Sequence, residues 1–83
     1  MYELRYSLTA LKQLEKLEGP TKERILKVLE RLRVRPESCD IKKLVGIPGY
    51  RLRVGDYRVI IDIENETVSI LVLEIGHRKN IYK

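Results

Sequence analysis

The arginines of GYRLRVGDYRVIIDI, residues 49–63, are the side chains best suited to chemistry. Arg51 and Arg53 stand two apart on one expected strand, so both project to the same face. Arg58 interrupts an otherwise apolar second strand, Tyr57-Arg58-Val59-Ile60-Ile61, and a hairpin brings its face close to theirs. Three guanidinium groups gathered without an equal number of acids repel one another unless an anion bridges them. A phosphate does this well, because arginine's planar fork matches its oxygens. Two plainer roles compete. Arg51 and Arg53 fit the wet face of an exposed strand whose Leu52 and Val54 turn to a core. Arg58 shares a face with Ile60 and Asp62, so an Arg58–Asp62 ion pair is its structural alternative.

The C-terminal stretch IGHRKNIYK, residues 75–83, adds His77, Arg78, Lys79, Tyr82 and Lys83. Tyr82 follows Arg78 by four residues, so a helical turn sets the two on one face. A cation beside an aromatic ring is suited to holding a phosphate and stacking a base. Tails of this composition are also commonly just solvated. Lys42 and Lys43 either contact a nucleic-acid backbone or are ordinary surface lysines.

The elements that must position these residues follow from periodicity. The alternation of YELRY, residues 2–6, predicts a short first strand. Ser7 is placed to cap a helix carrying Leu8, Leu11, Leu14 and Leu17. Gly19-Pro20 stops that helix and Thr21 caps a second, in which Ile25, Leu26, Val28, Leu29 and Leu32 repeat at helical spacing until Pro36. The two stripes predict core packing or an antiparallel helix pair. The period then changes to two. Residues 41–45 approach or join a sheet, and strands are predicted over 50–54, 57–64 and 67–75, punctuated by Gly49, Gly55-Asp56 and Asn65-Glu66. The fold class is α+β: an N-terminal strand, a two-helix hairpin, then antiparallel strands in one sheet with helices on one face.

Bulk properties set the limits. Eighty-three residues are enough for one domain, residues 1–83, and too few for two cores. With 43% hydrophobic and 35% charged residues, the chain reads as globular rather than disordered. Net charge of +5 and a pI near 9.5 favour an anionic partner such as nucleic acid. Cys39 and His77 are the only residues of their types, which excludes an internal disulfide and a cysteine–histidine zinc site. No apolar run approaches the roughly 18 residues of a membrane span, and MYELRYSL lacks an apolar signal core, so a cytoplasmic protein without membrane partners is expected.

With GYRLRVGDYRVIIDI and IGHRKNIYK in their relative positions, the chain resembles the RelE toxins of the RelE/ParE toxin–antitoxin superfamily along essentially its whole length. The resemblance implies a ribosome-dependent endoribonuclease that cuts mRNA in the decoding site and is silenced by a RelB-type antitoxin. It implies no metal and no cofactor. By position, Arg51 and Arg53 match a basic pair that engages the scissile phosphate and activates the nucleophile. Arg58 matches a transition-state stabiliser, Arg78 a contact to phosphate and leaving group, and Tyr82 a ring that stacks on a substrate base. The implied reaction is attack of a 2′-hydroxyl on its neighbouring phosphate. Lys42, Lys43, His77, Lys79 and Lys83 are weaker candidates for mRNA or rRNA contact. Some family members carry lysine where this chain has Arg51 and Arg53. Arginine stays protonated, which leaves His77, solvent or rRNA as proton acceptor. The ParE branch, whose toxins inhibit DNA gyrase and cleave no RNA, shares the fold and is the alternative.

Overall fold

The structure is a computed structural model and describes residues 1–81. Its elements are β1 (Glu3–Tyr6), α1 (Leu8–Glu15), α2 (Gly19–Val34), a 3-10 turn at Pro36–Ser38, β2 (Ile41–Lys43), β3 (Tyr50–Val54), β4 (Tyr57–Glu64), β5 (Ser69–His77) and α3 (Arg78–Ile81). The strands form one sheet in the order β1-β5-β4-β3-β2. Neighbours pair antiparallel except β1, which runs parallel to β5 at the far edge. This is the expected α+β arrangement.

Alternation decides which sheet face is covered. Leu52, Val54, Val59, Ile61, Ile70, Val72 and Ile75 pack in one cluster with Ala10 and Leu14 of α1 and Ile25, Leu29 and Leu32 of α2. Burying each large side chain of this kind contributes roughly 1.5–3 kcal/mol. The spacing from Val72 to Ile75 is three, which would break a period of two. A register irregularity at Ile60/Ile61 absorbs the extra residue, pairing Ile60 with Glu74 and Ile61 with Val72. Helix α1 satisfies the backbone there: Gln13 Oε1 accepts from Ile75 N at 2.6 Å, and the Ser7 hydroxyl donates to the Leu73 carbonyl at 2.8 Å. The Ser7 hydroxyl oxygen also accepts from Ala10 N at 3.0 Å, the predicted N-cap.

Three sequence expectations need correction. Leu8 and Leu11 are exposed, and of the α1 leucine stripe only Leu14 is buried. Each step of three residues turns the helix by about −60°, so a strict three-residue repeat points Leu8 and Leu17 to opposite sides. Thr21 does not cap α2, which begins at Gly19 after Glu18 with Pro20 in its first turn. Proline is preorganised for that position, and its missing N–H costs nothing there. The last strand runs from Ser69 to His77 rather than 67–75. Val68 takes a left-handed φ of 50° to close the turn, so residues 67–68 cannot enter the ladder. Residues 41–45 join the sheet as expected, through β2, which stops at Lys43 before the chain bends through Gly46 (φ 82°) and Gly49 (φ 114°).

Candidate functional site

Strands β3 and β4 position the arginines. Gly55, at φ 60°, and Asp56 make the two-residue turn between them, and the register that follows pairs Arg53 with Arg58 and Arg51 with Ile60. On the outer side, Arg51 pairs with Lys42 of β2. Two like-charged pairs, Lys42–Arg51 and Arg53–Arg58, therefore stand directly opposite one another on neighbouring strands, on the sheet face that α1 and α2 leave uncovered. Directly opposed residues have Cβ atoms about 4.5–5.5 Å apart, and like charges at that spacing destabilise a sheet. An anion held between them reverses the sign of that effect.

Arg51 and Arg58 are half-buried, and their Nε atoms are shielded from solvent. Their charge acts through a lower effective dielectric than that of an arginine in open water. Arg53 is exposed and makes no ion pair among the described residues. Asp62 shares the face of Arg58 but lies four residues along β4, about 13 Å at strand rise, with Ile60 between them. Its cross-strand neighbour is Leu71, whereas that of Arg58 on β5 is Gly76.

The remaining candidates divide. Lys42 joins the arginine face. Lys43 pairs with Tyr50, which in turn pairs with the buried Ile61, so Lys43 belongs to the helix-side face. His77 also leaves the arginine face: it pairs with Tyr57, and the two rings meet edge to face at 5.5 Å and 78°. Its Nδ1 accepts from Lys79 N at 3.3 Å. His77 is adjacent to the site in sequence, but strand alternation turns it to the opposite side from Arg58. Arg78 and Lys79 are exposed in the first turn after β5. The Arg78 N–H donates to the Asp56 carbonyl at 2.9 Å, which ties the chain end to the turn between Arg53 and Arg58. Tyr82 and Lys83 lie outside the described residues.

Sequence reasoning passed over Arg24. This α2 side chain lies across the β3–β4 turn, where a Cβ added to Gly55 would stand 2.9 Å from its guanidinium. Its signal was present in KERILKVLERLR, where cations recur beside the buried Ile25, Leu29 and Leu32. Among the described residues, no group of three or more histidine, cysteine, aspartate or glutamate side chains is placed to hold a metal ion. No described helix is long and apolar enough to cross a membrane.

A two-helix cover over one sheet face, with paired cations on the other, defines the class as the small toxins of type II toxin–antitoxin systems. The family model described as ParE toxin of type II toxin-antitoxin system, parDE, matches residues 4–82, and the chain belongs to that family. Its relatives carry RelE names. Over 82 residues it is 33% identical to Toxin RelE3 of Methanocaldococcus jannaschii, covering 93% of this chain and 91% of that protein. The toxin fold of the archaeal RelE-RelB complex from Pyrococcus horikoshii superposes with a TM-score of 0.79 at 29% identity, covering 95% of this chain and 97% of that one. The toxin–antitoxin complex RelBE2 of Mycobacterium tuberculosis gives 0.83 at 25% identity, with coverages of 93% and 98%. The intact RelBE complex of E. coli gives 0.77 at 30% identity, with coverages of 93% and 96%.

Proposed function

We propose that this chain is a ribosome-dependent endoribonuclease that cuts mRNA in the decoding site, arrests translation, and is neutralised by a RelB-type antitoxin. The observation that carries the reading is the pair of cross-strand cation registers, Arg53 opposite Arg58 and Lys42 opposite Arg51, on the uncovered sheet face. The RelE name of its curated relative and the RelE–RelB composition of the similar complexes support it.

In the proposed reaction the 2′-oxygen attacks the adjacent phosphorus. The 2′-proton leaves, the bond to the 5′-oxygen breaks, and that oxygen takes up a proton. The products are a 2′,3′-cyclic phosphate and a 5′-hydroxyl. Negative charge builds on the phosphoryl oxygens in the transition state, and guanidinium groups already fixed on a sheet stabilise it without reorganising. Arg58 is assigned that role, with Arg51 and Arg53 holding the scissile phosphate and Arg78 the leaving-group side. Tyr82 is assigned to stacking on a codon base. Lys42 and Lys79 are assigned to backbone contact, together with Lys83. A guanidinium has no lone pair available to accept a proton and His77 faces the other way, so solvent or rRNA is assigned as the proton acceptor. Holding the 2′-oxygen in line with the leaving oxygen supplies much of the remaining acceleration, and the ribosome is the natural agent for it.

The ParE description of the family model favours a second reading, inhibition of DNA gyrase without RNA cleavage. Purified protein tested on programmed ribosomes, on naked mRNA and in a gyrase supercoiling assay separates the two. The expected result is cleavage that requires ribosomes and leaves cyclic-phosphate ends. Comparable cleavage of naked RNA, or gyrase inhibition with no cleavage, would overturn the proposal.

A further inference from the structure

Helix α2, on the covered side of the sheet, carries a second basic surface that meets the arginine face at Arg53. Arg24, Lys27 and Arg31 lie at positions i, i+3 and i+7, one flank of the helix, spanning about 10 Å along its axis. Together with Arg53 and Asp40 they line a groove of about 410 Å³ between α2, the segment before β2, and the β3–β4 turn. Four cations face one acid there. Among the described residues none of Arg24, Lys27, Arg31 and Arg53 makes an ion pair. The cations of this flank are therefore not consumed by the fold, in contrast to Arg33 on the opposite flank, which pairs with Glu30 at 2.7 Å.

The groove also connects with the candidate site. Strand β2 covers β3 only as far as Leu52, and the last backbone contact on that side is Arg53 N to the Asp40 carbonyl at 2.9 Å. Beyond it the outer side of β3 is uncovered by another strand, so Arg53 borders both the groove and the arginine face.

The geometry points to an RNA-binding groove: we infer that Arg24, Lys27 and Arg31 hold backbone phosphates of RNA and dock the toxin, without taking part in bond cleavage. The lining decides between RNA and an acidic protein. Protein interfaces centre on aromatic and apolar anchors, whereas this lining has no aromatic or large aliphatic side chain: beside Val28, Val54, Cys39 and Gly55 it is charged or polar, with four cations. Nucleic-acid interfaces have that polar, strongly positive character. The inference rests on the reading of the chain as an RNA-directed toxin, and its test uses binding as well as cleavage.

The test is the triple variant Arg24→Gln, Lys27→Gln, Arg31→Gln, against a control of equal charge change on other helical surface, Lys12→Gln, Lys16→Gln, Lys22→Gln. Glutamine is a good helix former at such positions, and circular dichroism checks that both variants fold. Anisotropy of a short fluorescent single-stranded RNA is followed across a salt series. Each phosphate contact contributes about 0.7 to the slope of log affinity against log salt, so the triple variant is expected to lose roughly 2 from the slope. The control should lose distinctly less. On ribosomes the triple variant should need a higher ribosome concentration for half-maximal cleavage and reach the wild-type rate at saturation. An unchanged slope, or a loss equal to the control's, overturns the groove. So does normal RNA binding combined with lost antitoxin binding, which would make the surface a protein-docking site. Wild-type protein that binds RNA through the groove yet cleaves nothing on ribosomes would overturn the proposed reaction and leave the groove standing.

Discussion

The two faces of the β3–β4 hairpin are built from alternate residues of the same strands, yet they carry opposite investments. On the helix side, Leu52, Val59 and Ile61 are wholly excluded from water. On the other, Arg53 stands opposite Arg58 and Lys42 opposite Arg51 in the ladder, which gathers positive charge on one face. One face holds the fold together, and the other concentrates positive charge. Because alternation fixes the assignment, a one-residue slip would exchange the two sets entirely. Gly55 and the two-residue turn after Val54 are therefore as important to the site as the arginines.

The contrast predicts that substitutions on the two faces fail differently. Ile61→Ala, on the covered face, should lower unfolding free energy by about 2–5 kcal/mol, measured by urea denaturation. The fraction that remains folded should cleave mRNA at the wild-type rate. Lost activity in the folded fraction would mean that the faces are not separable. Tyr82 sharpens the comparison from the other side. If its ring stacks on a base at the arginine face, Tyr82→Ala should lose about 1–3 kcal/mol of transition-state binding, roughly 5- to 150-fold in ribosome-dependent cleavage. Tyr82→Phe should keep most activity, because stacking needs only the ring. Equal inactivity of the two variants would assign the hydroxyl to proton transfer, and no loss in either would remove Tyr82 from the site.

Much of this division was legible in the residues. Strands β3 and β4 have the bounds that their flanking Gly49 and Gly55-Asp56 predict, since turn residues punctuate a period-two pattern strongly. The shared face of Arg51, Arg53 and Arg58 follows from the same period. Three features were not legible. The parallel placement of β1 beside β5 depends on long-range pairing that local patterns do not encode. Sequence proximity placed His77 beside the site, but its side of the sheet is set by where β5 begins and by an irregular register, neither of which the string marks. The Arg24, Lys27 and Arg31 flank looked like ordinary charge between apolar helix positions, and only the packing of α2 against the turn gives it a neighbour in Arg53. The gyrase and ribosome readings share one architecture, so the choice between them depends on the site's chemistry alone.

Arg58→Ala tests most directly the claim that the uncovered face is chemical rather than structural, provided cleavage on programmed ribosomes and thermal unfolding are measured on the same sample. If Arg58 stabilises charge on the transferring phosphate, cleavage should fall about 10²–10³-fold, the cost of losing one such donor, while the protein stays folded with a melting temperature close to that of the wild type. A lowered melting temperature with full activity in the folded fraction would contradict the account and return Arg58 to a structural role.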